Sequence, residues 1–173
     1  MSEPAVRPAP IVRPLTPADA LAFRTVRLEA LEAHPGAYGS TFADWAGLPQ
    51  SAYIRRIEEG VIFGLFTAKG LEGLMAYDRE TGGNARHRAS LHAVYIRKAL
   101  RGSGAADLLL DAAVARAEAD RVVQLELSVA EDNARALAFY TGRGFSRIGV
   151  VPRALEVGGR FVDEILLMRR LDG

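Results

Sequence analysis

The stretch best equipped for chemistry runs Leu91-His92-Ala93-Val94-Tyr95-Ile96-Arg97-Lys98-Ala99-Leu100-Arg101-Gly102-Ser103-Gly104-Ala105-Ala106. Its apolar half reads as a strand, its glycines as a tight turn, and the alanines that follow open a helix. The first turn of a helix leaves backbone N–H groups without partners and carries about half a positive charge. Glycines let a ligand approach that backbone closely, so phosphate is the guest the arrangement suits. Arg97, Lys98 and Arg101 add positive charge at the same place, although the first two also suit a solvated strand end. Gly-x-Gly is in addition plain punctuation between a strand and a helix, and two well-defined phosphate loops do not fit. A P-loop needs Gly-Lys-Ser/Thr where this chain has Gly104-Ala105-Ala106. A dinucleotide fingerprint needs a third glycine where this chain has Asp107, a carboxylate set against the pyrophosphate. A nucleotide-binding domain is therefore disfavoured.

The second stretch is Val129-Ala130-Glu131-Asp132-Asn133-Ala134-Arg135-Ala136-Leu137-Ala138-Phe139-Tyr140-Thr141-Gly142-Arg143-Gly144-Phe145. Asn133 stands where a short helix begins and suits an N-cap. Ala134 and Leu137 read as its buried stripe, and Gly144 as a left-handed helix end. Tyr140 is open to two readings, a core aromatic with a satisfied hydroxyl or a proton donor in a site.

Together the two stretches resemble the GCN5-related N-acetyltransferases. Arg101-Gly102-Ser103-Gly104-Ala105-Ala106 matches that family's Arg/Gln-x-x-Gly-x-Gly/Ala pyrophosphate loop, with Lys98 standing where many members carry proline. The second stretch reproduces the family's Asn-x-x-Ala-x-x-Phe-Tyr-x-x-x-Gly-Phe pattern at every specified position. The resemblance in element order spans about Ile11 to Leu171. It implies acetyl-CoA as co-substrate, with the backbone of Val94, Tyr95 and Ile96 against the pantetheine arm. It places the pyrophosphate on Arg101, Gly102, Ser103, Gly104, Ala105 and Ala106. Asn133 and Phe139 would complete the coenzyme site, with Tyr140 as general acid. The fold implied is a mixed, mostly antiparallel sheet with helices on both faces. The acceptor implied is a primary amine of a small molecule or peptide. A non-catalytic coenzyme A-binding regulatory module and a transferase of another acyl group are the alternatives.

Direct transfer has an amine attack the thioester, and the adduct then expels a thiolate. Such a thiolate has a reference pKa near 8.5 and tyrosine one near 10, so full proton transfer from an unshifted Tyr140 runs uphill by ~2 kcal/mol. Tyr140 therefore needs a lowered pKa or acts mainly as a hydrogen-bond donor. Backbone N–H groups near Val94–Ile96 could hold the oxyanion. Freeing a lysine-like amine at pH 7 costs ~4.6 kcal/mol, against ~1–1.4 for an α-amine. A basic acceptor thus needs a general base. Glu126 and His92 are candidates on central strands, each with a plainer reading as a solvated or core residue. The family often has a carboxylate on its fourth strand, where Ser90 and His92 fall here.

These groups need elements to hold them. A strand is expected over Ile11–Leu15, then a helix capped by Thr16 with Pro17 at its first position and Leu21, Thr25, Leu28 and Leu31 on its buried stripe, widened by Phe23, Val26 and Ala30. His34-Pro35-Gly36 ends it, and a loop to Gln50 carries Tyr38, Phe42 and Trp45, lining an acceptor pocket or stapling the loop to the core. A helix over Ser51–Glu59 precedes strands near Val61–Phe66, Leu71–Tyr77 and Ala89–Arg97. The helix Ala105–Ala119 crosses to a strand over Val122–Val129, which makes those flanking strands parallel. The Asn133 helix and strands near Phe145–Val151 and Phe161–Met168 finish the α/β (α+β) order.

The 173 residues suit one domain over 11–173 behind a flexible tail at 1–10. Lys+Arg 22 against Asp+Glu 21 argues against a nucleic-acid partner. Zero cysteines exclude an acyl-cysteine intermediate, a disulfide framework and thiolate-held metals, and three histidines make no convincing metal site. No apolar run nears the ~20 residues of a membrane span, and no signal-peptide core is evident. A cytoplasmic protein without metal is expected, with monomer and homodimer both open.

Overall fold

The computed structural model describes residues 9–173, so the tail expected over 1–10 lies outside the described residues except for its last two. Among the described residues, seven strands form one sheet in the order β1-β2-β3-β4-β5-β7-β6. They are β1 (Ile11–Pro14), β2 (Val61–Thr67), β3 (Gly70–Arg79), β4 (Arg88–Ile96), β5 (Gln124–Ala130), β6 (Ser146–Val157) and β7 (Arg160–Arg170). Only β4 and β5 run parallel, joined by the crossover helix as expected; every other neighbouring pair is antiparallel. β1 is an edge strand, a place that tolerates Pro14, which has no N–H to give a ladder. The last two strands are longer than expected, because their polar residues pair in a hairpin that alternation alone did not reveal.

Five α-helices of the described residues accompany the sheet: α1 (Ala20–Ala33), α2 (Phe42–Ala46), α3 (Gln50–Glu59), α4 (Ala105–Ala119) and α5 (Ala134–Gly142). Two apolar clusters sort them. Leu109, Leu110, Ala113 and Ala117 of α4 pack with Tyr140 of α5 against Met75, Tyr77, Leu125 and Leu127. Phe23, Val26 and Leu31 of α1 pack with Trp45, Tyr53 and Ile57 against Leu74 and Ala76. Side chains alternate across a strand, so neighbouring β3 residues feed different clusters. No helix of the described residues is long and apolar enough to cross a membrane.

Two expectations for the first half need correction. The buried face of α1 includes Phe23, Val26, Ala30 and Leu31 as expected, but it is turned so that Ala20 and Arg27 also face inward while Leu21 (62% exposed) and Thr25 face outward and Leu28 is half-buried. Contact with α3 and β3 selects the face, and it takes an arginine in preference to a leucine. The loop expected to run to Gln50 contains α2, started by a capping box in which Thr41 and Asp44 exchange hydrogen bonds (Thr41 N–H to Asp44, 2.7 Å; Asp44 N–H to Thr41 Oγ1, 3.2 Å). Trp45 of α2 is in the core, edge-on to Phe23 and tilted against Tyr53, while Phe42 remains exposed.

Candidate active site

β4 and β5 pair only from Arg88↔Gln124 to Ser90↔Glu126. Beyond that point they part, although β4 continues to Ile96 and β5 to Ala130. β4 also carries one extra residue against β3: Ala76 faces His92 and Leu74 faces Tyr95, with Ala93 held at φ +51°. Such a bulge bends the strand and re-aims its groups. A cavity of about 590 Å³ opens at the parting, lined by Val94, Tyr95 and Ile96 from one strand and Ala130 from the other.

The glycine loop closes one end. Gly102 (φ +79°) and Gly104 (φ +88°) both adopt the left-handed conformation, and Gly104 is the N-cap of α4. They turn the chain so that the first N–H groups of α4 border the cavity, with Ala106 and Asp107 on its wall. Ser103 and Ala105 were expected there but do not line it. Ser103 Oγ donates back to Leu100 O (2.7 Å), and Ala105 is buried in the core.

The positive charge is arranged differently from the expectation. Arg97 is taken by Glu29, its Nε at 3.0 Å and Nη2 at 2.8 Å from the carboxylate, which also accepts from Tyr95 Oη (2.8 Å). Burial pushes the Glu29 carboxyl up, but these donors outweigh it and its pKa falls. Lys98 does not reach the cavity wall. Arg101 does; its Nε donates to Ile96 O (2.9 Å) and its Nη2 to His34 Nε2 (2.9 Å), so the loop is tied to the strand before it. Burial, and then Arg101, lower the pKa of His34, which stays neutral and keeps a lone pair for that bond. The carboxylate of Asp107 meets Arg143 at 3.1 Å, which also holds Asp111 at 2.5 Å. That cation, just after α5, offsets the charge that looked adverse to a pyrophosphate.

α5 forms the other wall. Asn133 is its N-cap, accepting from Ala136 N–H (3.1 Å), and also lines the cavity with Phe139 and Tyr140. The Tyr140 ring lies 5.1 Å from that of Phe139 and 5.4 Å from that of Phe145, both near perpendicular. Only 5% exposed, Tyr140 has its pKa raised, first by burial and then by Tyr38. The direction of that shift keeps the proton on the hydroxyl and favours a hydrogen-bond donor over a ready proton donor. Of the loop aromatics expected either to line an acceptor pocket or to staple the loop to the core, Tyr38 lines the cavity. Its hydroxyl donates to Val94 O (2.9 Å), and burial pushes it up to about 12. His34, Asp132 and Arg135 also line the cavity without having been expected there.

The two base candidates fare differently. Glu126 lines neither this cavity nor the second one described below; Arg88 grips it at 2.5 and 2.6 Å, and Gln124 donates at 2.6 Å. Arg88 first, then Gln124, hold its carboxyl below the usual range against the opposing effect of burial. A depressed folded-state pKa gives stability above the unfolded value, near 4.3, that is lost as pH falls through the folded one. Glu126→Gln should cost roughly 0.5–1 kcal/mol at pH 7, as for a partly exposed pair, with the difference shrinking below about pH 4. Urea midpoints at the two pH values measure this, and an unchanged kcat would accompany a purely structural role. His92 instead borders a second cavity of about 540 Å³ together with Ala93, its Nε2 2.6 Å from Asp78 Oδ2.

The family model described as "Acetyltransferase (GNAT) family" matches residues 20–145. A GNAT-family acetyltransferase structure from Streptococcus pneumoniae is 21% identical, superposes with TM-score 0.81 and covers 94% of this chain and 100% of its own. The yncA protein of Salmonella typhimurium, solved with its cofactor acetyl-CoA, is 17% identical with TM-score 0.81, covering 96% of each chain. Ribosomal-protein-alanine N-acetyltransferase from Brucella melitensis is 22% identical with TM-score 0.78, covering 93% of this chain and 99% of its own. No match was found among curated proteins. At these identities the structures speak for the fold, while the family model covers most of the sequence, including both motifs. The chain belongs to the GNAT family of acetyltransferases.

Proposed function

We propose that the protein is an acetyl-CoA-dependent N-acetyltransferase that passes the acetyl group directly to a primary amine of a small molecule or peptide, with residues 11–173 as one catalytic domain. The observation that carries this reading is the parting of β4 from β5 with three features on one cavity: left-handed glycines at a helix start, Asn133 and Tyr140. The N–H groups at the start of α4 suit a pyrophosphate, which a Cβ at Gly102 or Gly104 would crowd. The unpaired edge of β4 offers Val94, Tyr95 and Ile96 to an extended arm as a further strand would be offered. The same backbone supplies donors for the oxyanion. Tyr140 gives a hydrogen bond to the departing sulfur. His92, oriented by Asp78 on the opposite side of the bulge, receives the proton that the amine must lose.

Thermal shifts with coenzyme A, ATP and NAD, followed by thiol release across an amine panel, test the reading. Stabilisation by coenzyme A alone, with amine-dependent release of thiol from acetyl-CoA, is expected. Stabilisation by ATP without an effect of coenzyme A would overturn it.

A further inference from the structure

The second cavity holds a group that the coenzyme chemistry leaves unused. Arg27 is 5% exposed, and its Nε and Nη1 are buried with no hydrogen-bond partner among the described residues. Its guanidinium lies 4.7 Å from the ring centroid of Tyr38 and 4.9 Å from that of Trp45. The rings attract the cation but offer it no oxygen. Two carboxylates border the same cavity, Glu59 and Asp78, yet neither forms a salt bridge with Arg27, and Asp78 is engaged by His92. Arg55 and Arg56 stand at the rim, Arg56 over Trp45 at 4.8 Å. Burying a cation without an acceptor is costly unless a partner arrives to compensate it.

Resting on the acetyltransferase reading above, we propose that this cavity is the acceptor subsite for an oxyanion, and that the acceptor is an amine bearing a carboxylate or similar group, held by Arg27. The position fits transfer. Tyr38 covers Arg27 with its ring, bonds Val94 with its hydroxyl and lines the first cavity beside Tyr140. Ala93 lines the second cavity and Val94 the first, so the two meet across the β4 bulge. An anion anchored on Arg27 would leave the amine of the same molecule near His92 and the bulge. The cationic rim draws such a molecule in and disfavours a polycationic acceptor.

The test compares each common L-amino acid with its carboxamide, and aminoalkylphosphonates with the parent amines, as acceptors for thiol release. The wild type should favour the acid over the amide by about 100-fold in kcat/KM, the scale on which a buried charge pair discriminates. Whether carboxylate or phosphonate gives the larger preference identifies the oxyanion. Arg27→Met, which keeps an unbranched chain between the two rings, should erase that preference through KM, with coenzyme A affinity unchanged. Arg27→Lys should restore part of it. Equal use of acid and amide by the wild type, or an equal loss with both in Arg27→Met, would overturn the proposal. Calorimetric titration of the wild type with the same acids and amides reads the subsite without turnover. Tighter binding of the acids supports it, and no discrimination sinks it. Should coenzyme A fail to bind, the acetyltransferase reading falls while the titration still reports on Arg27.

Discussion

Tyr140→Phe is expected to lower kcat by about 10²–10³ while leaving coenzyme A affinity within about twofold, the usual effect of removing one donor from developing negative charge. The substitution deletes only Oη and keeps the ring between Phe139 and Phe145, so the packing of α5 survives. Burial raises the pKa of Tyr140, and Tyr38 adds to the shift. The proton is therefore held more tightly than in free tyrosine, and complete transfer to a thiolate of reference pKa near 8.5 costs more than the ~2 kcal/mol of an unshifted pair. On the proposed mechanism Tyr140 acts on the leaving sulfur chiefly as a hydrogen-bond donor. Two observables separate this role from mere packing. The rate of the Phe variant should depend more steeply on the acidity of the leaving thiol, so a donor with a more acidic thiol partly rescues it. Loss of Tyr140 ionisation should contribute nothing to an alkaline limb below the ordinary tyrosine range, because the raised pKa moves it above that range. An unchanged kcat with the best acceptor would remove Tyr140 from the mechanism.

Features written into consecutive residues were legible before any coordinates. The two glycines of the loop, the start and end of α4, the cap at Asn133 and the left-handed Gly144 all depend on neighbours in sequence. The parallel pairing of β4 and β5 followed from the crossover between them. What escaped depends on distant partners. Arg97 looked free until Glu29 of α1 was brought across from 68 residues away. The parting of β4 from β5 and the bulge at Ala93 arise from pairing along a whole sheet, and alternation in one strand does not encode them. Which of the loop aromatics lines a cavity and which staples the loop was likewise open in the sequence: Tyr38 reaches Val94 on the bulged strand while Trp45 enters the core. One miss had a local signal: Thr41-x-x-Asp44 is a capping box and marks α2 by itself. The edge of the α1 face, at Leu21, Thr25 and Leu28, was misjudged for a different reason. Counting leucines assumes that apolar residues take the inside, and Arg27 lies there instead.

Gly104→Val should weaken coenzyme A binding by about 30- to 100-fold, combining left-handed strain with a side chain where the pyrophosphate must sit. The φ of +88° is costly for any L-residue and worst for a β-branched one, at roughly 1–3 kcal/mol. No protein atom lies within 4 Å of a Cβ built at this position, so the free protein accommodates the side chain sterically. The strain either lowers stability or rotates the peptide and misdirects the N–H groups at the start of α4. Gly104→Asn separates the contributions, because asparagine tolerates the left-handed region while still presenting a Cβ. Recovered stability with weak coenzyme A binding would assign the loss to crowding of the ligand; recovery of both would assign it to backbone direction. Gly159 (φ +78°), at the turn between β6 and β7, serves as the control. Gly159→Val should lower Tm by a similar amount and leave coenzyme A affinity unchanged, since Gly159 does not line the cavity. If Gly104→Val bound coenzyme A as the wild type does, the pyrophosphate would have to be held somewhere other than at the start of α4.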